Sequence, residues 1–220
     1  MFWESTNCTY LQFLGVNAQM SNLDLAKKRM LSRKTLPANG GTIPLDKKDF
    51  VMTNDNLNYR IGTIDDVDQL QDLHIIAYGQ FQNALTPDNW ATFSSNHQNR
   101  QRFVDILNIA KCFVCLDNDK IIGVAYVILS GNPTDLFKTE WSYIRMVGVN
   151  PKYRGQGIAK ALTKMCIDFA KGNNEKTIAL HTSEFMDAAR HIYESIGFKV
   201  LQEIPPLFGK KYWLYTLDLN

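Results

Sequence analysis

A mixed α/β sheet with helices on both faces is the fold class this sequence predicts, in the order β-αα-ββ-β-α-β-α-β-β. Three observations carry that expectation. Short apolar runs with strand-like alternation recur from Asn58 to the C-terminus. Amphipathic runs of helical period fall between them. One such run follows "NPKYRGQGIAKAL" (Asn150–Leu162) and separates two strand-like stretches, which calls for a parallel crossover.

The elements follow in order. "YRIGTI" alternates like a strand. "TIDDVDQLQDLHIIAYGQF" opens on a Thr or Asp cap and sets Val67, Leu70, Leu73, Ile76 and Ala77 on one helical face. "TPDNWATFSSNHQNRQRFVDILNIA" starts with Pro near a first turn and reads as one or two helices. "KCFVCLD" and "IIGVAYVIL" are strands joined by the turn "DNDK". "EWSYIRMVGV" is a third long strand. A helix then runs from about Gly157 to Lys171 and stops at "KGNN". "KTIALHT" is a strand, "DAARHIYESIG" a short helix stopped by Gly197, and "FKVLQEI" and "KYWLYTLDL" the last strands.

Residues 1–56 look different and read as an N-terminal extension beside a domain over 57–220. They break often at Gly and Pro, and residues 1–51 hold seven basic against four acidic side chains. A short helix fits Asn22 to Arg33, and its "KKRMLSRK" reads as a solvated face. The whole chain of 220 residues carries a net charge of only +2, which makes no general case for nucleic acid. No apolar run approaches the ~18 residues of a membrane helix. The start lacks a basic leader with a continuous apolar core, so the expectation is no export, a reducing cytoplasm and no membrane partner.

The cysteines are Cys8, Cys112, Cys115 and Cys166. Cys112 and Cys115 form a CxxC, but they lie in a strand-like run where positions three apart face opposite ways. They therefore read as core thiols, and no metal site is expected.

The glycines of "YRGQGIAK" carry more chemistry. A helix N-terminus exposes four unbonded N–H groups and partial positive charge, which suit a pyrophosphate. Gly155 and Gly157 remove the Cβ atoms that would block close approach. A P-loop fails here, because no Gly-Lys-Ser/Thr follows. The dinucleotide fingerprint fails too, because Lys160 stands where its third glycine belongs.

"MVGVNPKYRGQGIAKAL" followed by "AARHIYESIGFKV" resembles the GNAT superfamily of acetyl-CoA-dependent N-acetyltransferases, over about Asn58 to Leu219 and most specifically over 143–200. Arg154, Gly157 and Ala159 match its pyrophosphate loop, and Tyr193, Gly197 and Phe198 match its later Tyr-x-x-x-Gly-Phe. The resemblance implies that the amides of Gly155, Gln156, Gly157, Ile158, Ala159 and Lys160 hold the pyrophosphate of acetyl-CoA. It implies that Met146, Val147, Gly148 and Val149 pair with the pantetheine arm, with a bulge at Gly148 splaying two central strands. The implied reaction is direct acetyl transfer to a primary amine of a small molecule or peptide, with Tyr193 bonding the leaving thiolate. A non-catalytic acyl-CoA-binding module on the same fold is the alternative, and a homodimer stays open. For the base, Glu140 leads, ahead of Glu184, His181 and a route through bulk water. One departure is visible: Met186 stands where many members have a cofactor-contacting Asn.

Overall fold

The computed structural model describes residues 57–220. The expected extension at 1–56, its helix at 22–33 and Cys8 lie outside the described residues. The element order is β1 (Leu57–Ile61), α1 (Val67–Gly79), α2 (Pro87–Gln98), α3 (Arg100–Ile109), β2 (Lys111–Asp117), β3 (Lys120–Ile128), β4 (Ser142–Val149), α4 (Ile158–Gly172), β5 (Thr177–Ser183), α5 (Asp187–Ile196), β6 (Lys199–Leu207) and β7 (Lys210–Asp218). The run left as one or two helices is two. Asn99 leaves helical geometry between them and accepts from Gln101 N at 3.1 Å as the cap of α3. Thr86 caps α2 ahead of a Pro in the first turn.

The strands form one mixed sheet in the order β1-β2-β3-β4-β5-β7-β6. β4 and β5 are parallel, joined across α4, and every other neighbouring pair is antiparallel. β2 and β3 are buried on both faces because each face carries helices. One core packs α1 and Phe103 of α3 on Cys112, Val114, Val124 and Tyr126. The other packs α4, Tyr193 and Phe198 on Phe113, Cys115, Ala125 and Ile144. Cys112 and Cys115 thus fall on opposite faces, as their spacing predicts, and burial pushes both thiols up, Cys112 to about 12. Among the described residues, no helix is long and apolar enough to cross a membrane.

Local bonds fix how α1 enters the sheet. The Arg60 guanidinium grips both Asp66 oxygens at 2.7 and 2.8 Å, and Thr63 N donates to Asp66 at 2.8 Å. The Arg60 pair, followed by the Thr63 bonds, holds the Asp66 carboxyl below the usual carboxylate range. α1 then buries Val67, Leu70, Leu73, His74 and Ala77. This corrects the expected face: Ile76 is 45% exposed, and His74 takes its place in the core at 0%. The reason is helical phase. At about 100° per residue, Ile76 lies about 120° from the centre of the stripe and His74 about 40° from it.

His74 is a polar group in an aromatic layer. Its ring stacks on Tyr78 at 5.4 Å and His97 at 5.7 Å, and tilts against Tyr126 at 5.9 Å. Tyr78 and His97 stack at 4.2 Å. Among the described residues, neither nitrogen of His74, nor Nδ1 of His97, has a hydrogen-bond partner. Burial, reinforced by the nearby Arg102, pulls both imidazoles down, His97 to about 3. Their folded values lie below the unfolded value of about 6.5. Their contribution to stability is therefore complete above about pH 6.5 and is lost as the pH falls through the acid range. Unfolding free energy measured in urea should drop below pH 6.5 by up to about 1.4 kcal/mol per pH unit for each imidazole. His97→Phe, which keeps the ring stack, should remove about a third of the slope that the three buried imidazoles His74, His97 and His181 contribute together; an unchanged slope would place the proton uptake elsewhere.

Candidate active site

Two registered pairs hold β4 to β5: Ser142 with Ile178 and Tyr143 with Ala179. Beyond them β4 continues along β3 to Val149, and β5 continues along β7 to Ser183. The strands part, and from Ile144 onward β4 has no partner strand on its β5 side among the described residues. The expected splay is present.

Its cause is a bulge. Val124 pairs with Gly148 and Tyr126 with Arg145, so Met146 and Val147 together oppose Ala125. Met146 turns left-handed, with φ +51°, at a cost of about 1 kcal/mol or more for a non-glycine residue. The sequence reading put the bulge at Gly148, and the structure moves it to Met146–Val147. Gly148 stays in register, and a Cβ there would stand at ordinary van der Waals distance from Ala77 Cβ (3.5 Å) and the Tyr78 ring (3.6 Å). The Tyr78 hydroxyl donates to Val147 O at 3.0 Å, so α1 bonds directly to the bulge.

The next segment is pinned at both ends. Asn150 N donates to Ile122 O at 2.8 Å, and Asn150 Oδ1 accepts from Lys152 N at 3.1 Å. Tyr153 donates its hydroxyl to Asp117 Oδ2 at 2.7 Å, tying the loop to the β2–β3 turn. Arg154 is extended and exposed. Gly155 and Gly157 both have φ +77°, a conformation that disfavours any side chain, and no atom lies near the Cβ position of Gly155. Gly157 caps α4 without a side-chain bond, and the first intrahelical bond runs from Ala161 N to Gly157 O at 2.9 Å. The amides of Gly157, Ile158, Ala159 and Lys160 therefore precede the helical ladder. Ile158 is buried and anchors the turn, while Ala159 and Lys160 are half-buried. Amides without a helical partner, open glycines and two nearby cations, Arg154 and Lys160, fit a pyrophosphate.

Tyr193 sits on α5 at 7% exposure, edge-on to Phe198 at 5.9 Å. The Tyr-x-x-x-Gly-Phe pattern has a local explanation. Gly197 ends α5 with φ +115°, and the N–H groups of Gly197 and Phe198 both return to Tyr193 O, at 3.2 and 3.1 Å. Burial, helped by Tyr78 and Cys166, raises the Tyr193 phenol far above its ordinary value, so the hydroxyl keeps its proton and remains a donor. Met186 stands at the N-cap of α5 with no side-chain capping bond.

The structure does not bring Glu140 to this place. It is exposed, two residues ahead of β4, at the end where β4 and β5 are paired. It lies in a turn before β4, and the strand from Ser142 to Met146, about 13 Å of extended backbone, separates that turn from the bulge. Glu184 accepts from Lys211 N at 3.2 Å and ties the end of β5 to β7. His181 lies on β5 between Phe137 and Tyr212, and burial followed by the Arg145 charge pulls it down to about 3.

Arg145, buried at 7% in β4, was missed from sequence, though a charge inside an apolar strand marked it. Tyr78 lies in the helical run around His74, and its bond to the bulge has no local signal in the sequence.

The chain resembles known proteins over the same region. Residues 71–198 match the acetyltransferase (GNAT) family. N-alpha-acetyltransferase 30 of Schizosaccharomyces pombe is 37% identical over 86 residues, which cover 39% of this chain and 55% of the relative. N-acetylaspartate synthetase of Xenopus tropicalis is 38% identical over 89 residues, covering 40% and 31%. The chain thus spans about half or less of the length of these relatives. Among solved structures, a Thermoplasma acidophilum PaiA N-acetyltransferase in complex with coenzyme A superposes with a TM-score of 0.60 at 11% identity, covering 72% of this chain and 97% of that one. Arabidopsis thaliana NAA60 in complex with acetyl-CoA gives 0.57 at 16%, covering 74% and 98%. Both share the fold. With its family match extending from α1 through the glycine turn to Phe198, the chain belongs to the acetyltransferase (GNAT) family.

Proposed function

We propose that residues 57–220 transfer the acetyl group of acetyl-CoA to an α-amine, that of a peptide N-terminus or an amino-acid derivative. The carrying observation is the glycine turn at the head of α4, next to a strand edge that β5 has left. The amides of Gly157 to Lys160, with Arg154, hold the pyrophosphate. The open edge of Met146–Val149 receives the pantetheine arm. Acetyl-CoA supplies an activated thioester carbonyl; the amine nitrogen bonds to that carbon, the C–S bond breaks, and the amine gives up a proton. Tyr193, kept protonated by burial, donates a hydrogen bond to the departing sulfur.

The α-amine follows from proton cost. A lysine-like amine, with pKa near 10.4, needs about 4 kcal/mol to be neutral near pH 7.4. An α-amine, near 7.7–8.0, needs less than about 1 kcal/mol and so little help. Among the candidate bases, Glu140 stands apart, Glu184 is engaged, and the imidazoles of His97 and His181 are too weak as bases. The names of the two curated relatives agree with this reading. The free buried thiols Cys112, Cys115 and Cys166 support a reducing compartment, and a cytoplasmic site of action belongs to the same proposal.

Release of CoA from acetyl-CoA, measured with a short peptide, tests the reaction. The pH profile of kcat/KM should follow the pKa of the acceptor's own amine and move when a peptide of different amine pKa is used. A fixed profile near an enzyme pKa would demand a dedicated base. Binding without turnover of any amine would favour an acyl-CoA-binding module. Gly157→Val should weaken CoA binding by calorimetry about tenfold or more, because the side chain resists the left-handed turn and crowds the amides. Tyr193→Phe should lower kcat about 100-fold with little change in the KM for acetyl-CoA.

A further inference from the structure

The glycine turn at the head of α4 is held from outside itself. Arg154, Gly155 and Gln156 are exposed, and Gly155 and Gly157 both sit at φ +77°. A segment with two glycines loses much freedom when it is ordered, so a turn left loose would bind an anion weakly. Ile158 anchors the helical end of the turn in the core. The other end depends on Tyr153. Its ring packs on the core beneath α4, and its hydroxyl donates to Asp117 Oδ2 at 2.7 Å. The bond to this carboxylate raises the phenol above its ordinary value, so the hydroxyl remains a donor.

Asp117 is itself fixed. Its Oδ1 accepts from Asn118 Nδ2 at 3.2 Å, and Asn118 takes the left-handed conformation, φ +52°, in the turn from β2 to β3. Asn tolerates that conformation better than most residues. Against the same turn lies α1. Gln69 donates from Nε2 to Asp119 O at 3.3 Å and accepts at Oε1 from Ile121 N at 3.0 Å. A chain of bonds thus runs from α1 through the β2–β3 turn and Asp117 to Tyr153 and the glycine turn. α1 meets the site a second time. Tyr78, nine residues beyond Gln69 and about 13 Å along the helix, bonds Val147 O in the bulge. One helix therefore braces both the glycine turn and the strand edge at the bulge.

We propose that Tyr153 is a positioning residue for the pyrophosphate of the acyl donor, supported by Gln69 of α1 through the β2–β3 turn. It acts through the glycine turn, whose amides it holds in place. This rests on the acetyl-CoA reading above.

Tyr153→Phe removes the hydroxyl alone and keeps the packed ring. Two donors separate positioning from stability: acetyl-CoA, and S-acetylpantetheine, which carries the same thioester arm without the pyrophosphate. With the full chain and a short peptide, the ratio of kcat/KM for acetyl-CoA over S-acetylpantetheine should fall about fivefold in the variant, through the KM for acetyl-CoA. CoA affinity by calorimetry should fall by the same factor. Gln69→Leu should lower the ratio as well and add little on top of Tyr153→Phe, because both cut one path. An unchanged CoA affinity in Tyr153→Phe overturns the proposal. So does an equal loss for both donors, because the hydroxyl then serves only the fold. Full additivity of the two variants overturns the support from α1. A wild-type chain that binds no CoA overturns the acetyl-CoA reading and this proposal together. No turnover with CoA binding intact overturns the peptide acceptor alone, and the calorimetric arm still decides this proposal.

Discussion

Two registered pairs and the bond from the Ser142 hydroxyl to Thr177 O at 3.0 Å hold β4 to β5, and the site depends on the strands parting after them. A continuous parallel ladder would consume the polar edge of β4. The bulge at Met146–Val147 turns that edge away, and it bends the strand at a cost in backbone energy. That cost is offset by one hydrogen bond, from Tyr78 to Val147 O, and by a helix resting on the space above Gly148. The cleft is thus an outcome of helix packing as much as of the strands.

On the other face, α4 is placed by contact with the sheet backbone. A Cβ on Gly123 would stand 2.6 Å from Ile158 and 3.1 Å from Leu162, so the helix lies directly on β3 at that point. Ile158 is the first helical residue, and its burial fixes where the preceding amides point. Tyr153, bonded to Asp117, holds the loop from the other side. The turn at the head of α4 is therefore fixed in place by its packing and its bonds to β2 and β3.

The aromatic layer between α1, α2 and the bulge has a different character. It is built from rings, and its imidazoles are kept neutral by burial. A neutral aromatic surface makes a poor proton sink and a good apolar contact. The two groups differ in what they can do: the buried phenol on α5 keeps its proton as a donor, while the rings of α1 and α2 beside the bulge offer neutral apolar contact.

What the sequence by itself determined was local. The glycine turn was legible because a positive φ at Gly155 and Gly157 demands glycine whatever surrounds it. The end of α5 was legible for the same reason, since Gly197 and Phe198 bond back within one helical turn. The order of elements along the chain and the parallel crossover followed from periodicity. The tertiary structure decided what depends on partners far away in the chain. It moved the bulge from Gly148 to Met146, because register is set by β3 and α1 together. It buried His74 in place of Ile76, because the helical phase counts only once the sheet supplies the core. It left Glu140 at the paired end of β4, and it gathered Tyr78, Phe81, Phe93, Phe185 and Phe208 from four segments into one cluster. Side-chain convergence of that kind has no spacing in sequence, because the contacts exist only after the layers have packed.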